Sequence, residues 1–156
     1  MITEYSNNNK KVLNKIYKII INNLLIIYPT KRKEEFDNQE NYHRWTNSIT
    51  SDTNYKIIAY EEQQEILGFL SYNIVDNNLW ISEVQVKDEY KHIGILKKLL
   101  RYFIKKDIIN NYQEIYIHIN SNNNPSKIVF THIGFKEKEK TIYRISINDL
   151  KEYLKK

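Results

Sequence analysis

The sequence predicts an α+β domain with a mixed sheet, and three observations carry that prediction. Apolar residues recur at helical spacing near the amino terminus, where Val12, Leu13, Ile16, Ile20, Leu24 and Ile27 mark one stripe. From Tyr55 to Val86 the period changes to strand-forming runs separated by turn signals. Between Leu79 and Asn120 a strand, a helix and a second strand follow one another, which implies a right-handed parallel crossover.

The first helix is expected over about Lys10 to Tyr28, stopped by Pro29, and a second over about Glu34 to Ser48. Tyr55 to Tyr60 and Ile66 to Val75 are rich in β-formers, with the polar link Glu61 to Glu65 between them. Asp76-Asn77-Asn78 is a hairpin signal ahead of the strand Leu79 to Val86, so these three strands form an antiparallel meander. A polar link, Lys87 to His92, leads to Gly94 and an amphipathic helix, Ile95 to Lys106. In that helix Leu96, Leu99, Leu100 and Phe103 form one apolar stripe with Ile95 and Ile104 beside it, and Lys97, Lys98, Arg101 and Lys105 lie off it. Glu114 to Asn120 alternates Ile115, Ile117 and Ile119 against Tyr116, His118 and Asn120, as a strand does. The next helix is punctuated by Asn124 as cap, Pro125 at the first helical position and Gly134 at its end. Phe135 to Lys140 and Thr141 to Asn148 read as a closing pair of strands, with a short helix from Asp149.

Composition narrows the function classes. A length of 156 residues with 41% hydrophobic content suits one domain, 1–156, around one sizeable core. With no cysteine, disulfides, thiolate metal sites and a cysteine nucleophile are excluded. The four histidines, His43, His92, His118 and His132, lack the i, i+4 spacing that puts two imidazoles on one helix face, so no metal is expected. Ile19 to Ile27 is apolar apart from Asn22 and Asn23, far short of the ~20 residues that span a bilayer, and is expected to be a buried helix of a soluble, cytoplasmic protein. The formal charge of +5 accompanies abundant lysine, asparagine, isoleucine and tyrosine, and without stacking motifs it is no nucleic-acid footprint.

Gly94 is the most telling single residue. A strand that runs through a tight basic loop into a helix start gathers backbone N–H groups at the positive end of the helix dipole. Glycine there lets an anion approach without a Cβ in the way. A phosphate-bearing ligand is the first expectation.

Two segments in order resemble the GNAT superfamily of N-acetyltransferases. Val86-Lys87-Asp88-Glu89-Tyr90-Lys91-His92-Ile93-Gly94-Ile95-Leu96 is similar to the family's acyl-CoA pyrophosphate loop, and Asn123 through Gly134-Phe135 to its Asn-containing loop, short helix and terminal Gly-Phe. The resemblance covers roughly residues 55 to 148. Lys91 stands at the family's Gln or Arg position, keeping a cation but losing the planar fork, and Leu96 stands where the family has Gly or Ala.

The resemblance implies a mostly antiparallel central sheet with a splayed parallel strand pair, and transfer of an acetyl group from acetyl-CoA to a primary amine. Cofactor contacts are then expected from main-chain N–H groups near Gln85 and Val86, from Lys91, His92, Ile93, Gly94, Ile95 and Leu96, and from Asn123 and Phe130 of the second motif. An alkylamine is mostly protonated at neutral pH, so a base is useful; Glu83 is the first candidate and His118 the second. Phe130 replaces a Tyr that protonates the leaving thiolate in many members, which leaves open a non-catalytic acyl-CoA-binding domain. Tyr42, Trp45, Tyr72 and Trp80, with His43, are the aromatic candidates for the acceptor side, with core packing as the alternative for the tryptophans. The expected partner is a small-molecule or peptide amine acceptor, with a homodimer left open and neither membrane nor nucleic acid expected.

Overall fold

The computed structural model describes residues 1–156. In chain order the elements are β1 (Ile2–Ser6), α1 (Lys10–Ile27), α2 (Lys33–Phe36), α3 (Gln39–Thr50), β2 (Lys56–Glu62), β3 (Glu65–Val75), β4 (Asn78–Val86), α4 (Ile95–Ile104), β5 (Glu114–His118), α5 (Asn124–Ile133), β6 (Lys136–Glu139), β7 (Ile142–Ser146) and α6 (Ile147–Leu154). The seven strands form one sheet in the order β1-β2-β3-β4-β5-β7-β6. Every neighbouring pair is antiparallel except β4 and β5, which are parallel over Leu79–Ile115, Trp80–Tyr116 and Ile81–Ile117. The mixed sheet and its crossover through α4 are those the sequence predicts.

The sheet carries a core on each face. Ile58, Leu70, Tyr72, Leu79, Ile81, Ile115 and Ile117 pack with the buried residues of α4, α5 and α6. Ile57, Ala59, Ile66 and Phe69 pack with Val12, Leu13, Ile16 and Ile19 of α1 and with Ile49 of α3. Strand alternation sends neighbours such as Ile57 and Ile58 to opposite layers.

Several expectations change. β1 is an additional strand; its five residues show little pattern and exist as a strand through pairing with β2. Glu4 on β1 is held from the α4 side by the Tyr72 hydroxyl, 2.8 Å away, and by the ammonium of Lys106. The helix expected over Glu34 to Ser48 is two, α2 and α3, broken at Asp37-Asn38 because Asn38 caps α3 by accepting the Asn41 N–H at 2.9 Å. Asn123, not Asn124, caps α5, and Pro125 moves to the second helical position. Ser146 rather than a residue at Asp149 starts α6, accepting the Asp149 N–H at 3.0 Å. The Asp76-Asn77 turn has positive φ at both residues (51° and 63°), the backbone a two-residue hairpin requires.

One irregularity positions the site. Ser71 pairs with Glu83 but Tyr72 pairs with Ile81, so Ser82 is an extra residue in β4. Such a bulge shifts every later side chain to the other face. Without it Glu83 would follow Leu79 and Ile81 into the α4 core; with it Glu83 and Gln85 face α1, while Val84 and Val86 pack against the α4 core.

Candidate active site

The parallel pairing of β4 and β5 ends at Ile81–Ile117, immediately before the bulge. Beyond that point the two strands leave a cleft lined by Glu83, Val84 and Gln85 of β4, Ile117 and His118 of β5, and Phe130 of α5. Lys87 N–H donates to Leu67 O at 2.8 Å, which marks Gly68–Val86 as a non-hydrogen-bonded pair in the β3–β4 ladder. By alternation the N–H groups of Val86 and Val84 point away from β3, to the edge that β5 has left. Gln85 main chain is turned to Phe69 of β3 instead. The expectation of main-chain donors near Gln85 and Val86 is therefore corrected to Val84 and Val86, and Gln85 contributes its side chain.

Glu83 sits in a polar network inside this apolar frame. Its carboxylate accepts from Gln85 Nε2. Burial pushes the Glu83 carboxyl above the usual carboxylate range, and the Gln85 hydrogen bond partly opposes that rise. Ser71 Oγ lies 2.7 Å from the Tyr55 hydroxyl, whose own pKa is pushed up mainly by burial. From α1, Asn23 Nδ2 donates to Gln85 Oε1 at 2.8 Å and to Val86 O at 3.0 Å. Sequence reading missed Asn23, Ser71 and Tyr55. A signal existed for Asn23, which stands seven residues after Ile16 on the buried stripe of α1. His118 is exposed at the cleft, its Nε2 2.9 Å from Thr141 Oγ1.

At the far end of β4, a short turn leads to Gly94, whose φ of +91° is the left-handed conformation that favours glycine. A Cβ built there would meet nothing within 4 Å, so the space above the helix start is open. The first intrahelical bond of α4 runs from Lys98 N–H to Gly94 O, leaving the N–H groups of Ile95, Leu96 and Lys97 ahead of the ladder. Ile95 is buried and Leu96 packs against the core, so these two offer main chain rather than side chain. Lys91 lies 3.5 Å from Asp88, and His92 and Ile93 are exposed. The α4 cations are engaged elsewhere: Lys97 over the Tyr153 ring and Lys98 over Tyr60, each at 5.3 Å, and Arg101 donating to Leu154 O.

The aromatic candidates divide. Trp80 and Tyr116 stack at 5.4 Å across the parallel pair, on the face that Glu83 occupies. Tyr42 and Trp45 pack on Tyr17 of α1, with centroids 4.9 and 5.3 Å away. Tyr72 is buried on the opposite face of the sheet against Phe103, so it walls no space beside Glu83. Asn123 lines the cleft while its Oδ1 accepts the Ser126 N–H at 3.2 Å, and buried Phe130 packs edge-on against Phe135. No group of three or more His, Asp or Glu side chains gathers as a metal site, and no helix is long and apolar enough to cross a membrane.

A divergent parallel pair, with a bare strand edge leading to a glycine-started helix, is matched by protein-family comparison: residues 13–151 fit the acetyltransferase (GNAT) domain. The chain belongs to the GNAT acetyltransferase family. No curated protein matches this GNAT chain in sequence. Among solved structures it is similar to PaiA N-acetyltransferase from Thermoplasma acidophilum in complex with coenzyme A, with 16% identity, a TM-score of 0.69, and coverage of 94% of this chain and 99% of that one. It is similar also to ribosomal-protein-alanine N-acetyltransferase from Brucella melitensis (17% identity, TM-score 0.63, 94% and 99% covered). An aminoglycoside acetyltransferase from an uncultured soil metagenomic sample, in complex with sisomicin, shares 13% identity at a TM-score of 0.61, with 90% of each chain covered. At these identities the likeness is one of fold.

Proposed function

We propose that this GNAT domain transfers an acetyl group from acetyl-CoA to a primary amine by direct attack of the amine on the thioester, with Glu83 as the base, directly or through a water. The observation that carries the proposal is the coincidence of Glu83 with the bare β4 edge in one cleft. Two main-chain donors, from Val84 and Val86, face the same space and suit a carbonyl oxygen that gains negative charge. The N–H groups at the start of α4 and the open space at Gly94 suit a diphosphate. The family membership and the coenzyme A complex of the Thermoplasma relative support acetyl-CoA as the donor.

Glu83 is better suited to remove a proton than an exposed glutamate, because burial raises its basicity toward neutral pH. His118 is the second candidate, on the opposite lip of the cleft. For the acceptor, the Trp80–Tyr116 stack is the aromatic surface on the Glu83 face, and Tyr42 and Trp45 lie outward on the α1 layer. The acceptors of these relatives, a ribosomal-protein alanine and an aminoglycoside, differ widely at similar TM-scores, so fold alone selects none.

The test is CoA release from acetyl-CoA across an amine panel, comparing wild type with Glu83→Gln. The amide keeps the shape and loses the proton acceptor, so turnover is expected to fall about 10- to 1000-fold with little change in acetyl-CoA affinity. Wild-type turnover in the variant across pH 6 to 9 would move the base to His118.

A further inference from the structure

Asn23 is a polar residue, 4% exposed, on the otherwise apolar inner stripe of α1. Burying an amide there costs free energy unless its hydrogen bonds are made. Both donors of its side chain are used, and their targets fix a direction. One acceptor is Val86 O, 3.0 Å away, a carbonyl that can only accept, so the Asn23 atom facing it is the nitrogen. The same nitrogen lies 2.8 Å from the Gln85 amide, which must therefore turn its oxygen to Asn23. The Gln85 nitrogen is left facing Glu83, where it donates to Oε1. The orientation of the Gln85 amide thus follows from the main-chain carbonyl of Val86, through the Asn23 side chain.

We infer that Asn23 is a positioning residue for the Glu83 carboxylate, acting through the side-chain amide of Gln85; its catalytic meaning rests on Glu83 being the base. With Asn23 in place, Glu83 meets an N–H donor, which favours the ionised form that can take a proton. With Asn23 removed, the Gln85 amide is free to rotate and offer its oxygen, which only a protonated carboxyl can meet. Burial works against ionisation of Glu83, and the titratable groups near it come from elements packed against β4. Tyr55, beside Ser71, and Asp52 come from the connection between α3 and β2, and His118 faces the cleft from β5. No lysine or arginine lines the cleft, so the Gln85 N–H is the one donor to the carboxylate from a neighbouring side chain.

The test reads Glu83 without substrate. The 13C carboxyl resonance of Glu83, assigned by its loss in Glu83→Gln, is titrated in wild type, Asn23→Leu, Gln85→Leu and the double variant. Asn23→Leu is expected to raise the midpoint by roughly 0.5 to 1 pH unit, Gln85→Leu by at least as much, and the double variant no further than Gln85→Leu alone. In amine-dependent turnover, Asn23→Leu should lose about 3- to 10-fold at the acid limb of the profile and recover to within about 2-fold of wild type above it. An unmoved midpoint in Asn23→Leu, or an equal shift with and without Gln85, would overturn the relay. If Asn23→Leu does not fold, by circular dichroism, Asn23→Ala, which removes both donors without added bulk, is judged by the same criteria. Should Glu83→Gln keep full turnover while the midpoints move as expected, the relay stands and the assignment of the base fails.

Discussion

Glu83 carries a consequence for stability at the scale of a single residue. Because burial raises its pKa, the folded protein binds this proton more tightly than the unfolded chain does. Its contribution to stability is complete below the ordinary carboxylate pKa and is lost as pH rises through the raised folded value. Glu83→Gln, which cannot ionise, should match wild type in melting temperature near pH 4 and exceed it at pH 8. Calorimetry at the two pH values checks this, and an equal difference at both would show that burial of charge is not the cause. Phe130 is the second decisive residue. It lines the cleft without a hydroxyl, so it cannot protonate a leaving thiolate, and a thiol of pKa near ~8.5 is a competent leaving group without that help. Phe130→Tyr should leave turnover unchanged or raise it a few-fold, read as burst and steady-state CoA release. A wild type inert toward every amine, with activity gained in Phe130→Tyr at unchanged CoA affinity, would mark an acyl-CoA-binding relative instead of a catalyst.

At the scale of elements, the site depends on how closely the start of α4 approaches the sheet. Gly68 on β3 permits that approach: an added Cβ would stand 3.0 Å from Ile95 Cγ2 and 3.1 Å from Gln85 O. The Ile95 methyl can shift, but the Gln85 carbonyl is fixed in the β3–β4 ladder. Gly68→Ala is therefore expected to cost about 1 to 3 kcal/mol by overpacking and to weaken acetyl-CoA binding by pushing the α4 amino terminus outward. Denaturant unfolding and calorimetric titration measure the two effects, and a variant that loses stability alone would dissociate α4 placement from binding. The stripe Leu99, Leu100 and Phe103 of α4 was legible because a helix buries one face, and these three residues are buried as the spacing requires. β1 was not legible, since a five-residue strand is defined by its partner's backbone. The bulge at Ser82 was hidden for the same reason: it is a property of the pairing between two strands and leaves no local pattern.

Across the whole molecule, the proposed donor would bridge the β4 edge and the α4 start, so its binding should resist global unfolding. At about 100 times its dissociation constant, acetyl-CoA stabilises by ~2.7 kcal/mol, a rise of roughly 5 to 10 °C in melting temperature for a chain of this size. Gly94→Asp should remove most of that rise, because it puts a side chain and a negative charge into space that is open at the helix start. Absence of any shift with wild type, together with no calorimetric binding, would sink the proposed function.

The sequence by itself determined most of the helices and strands, the parallel crossover, the glycine-started helix and the family resemblance. These are local or periodic properties: side-chain alternation, capping and the left-handed backbone at Gly94 are written within a few residues of one another. Only the tertiary structure decided which groups meet. The bulge turned Glu83 out of the α4 core, the end of pairing at Ile81–Ile117 bared the N–H groups of Val84 and Val86, and Asn23 came from 62 residues away to set Gln85. Tyr72, a plausible wall from sequence, went to the opposite face because strand parity is counted from the pairing register. Hydrogen-bond partners between distant elements leave no period in the chain, so the site's chemistry is fixed by long-range packing while its scaffold is fixed by short-range pattern.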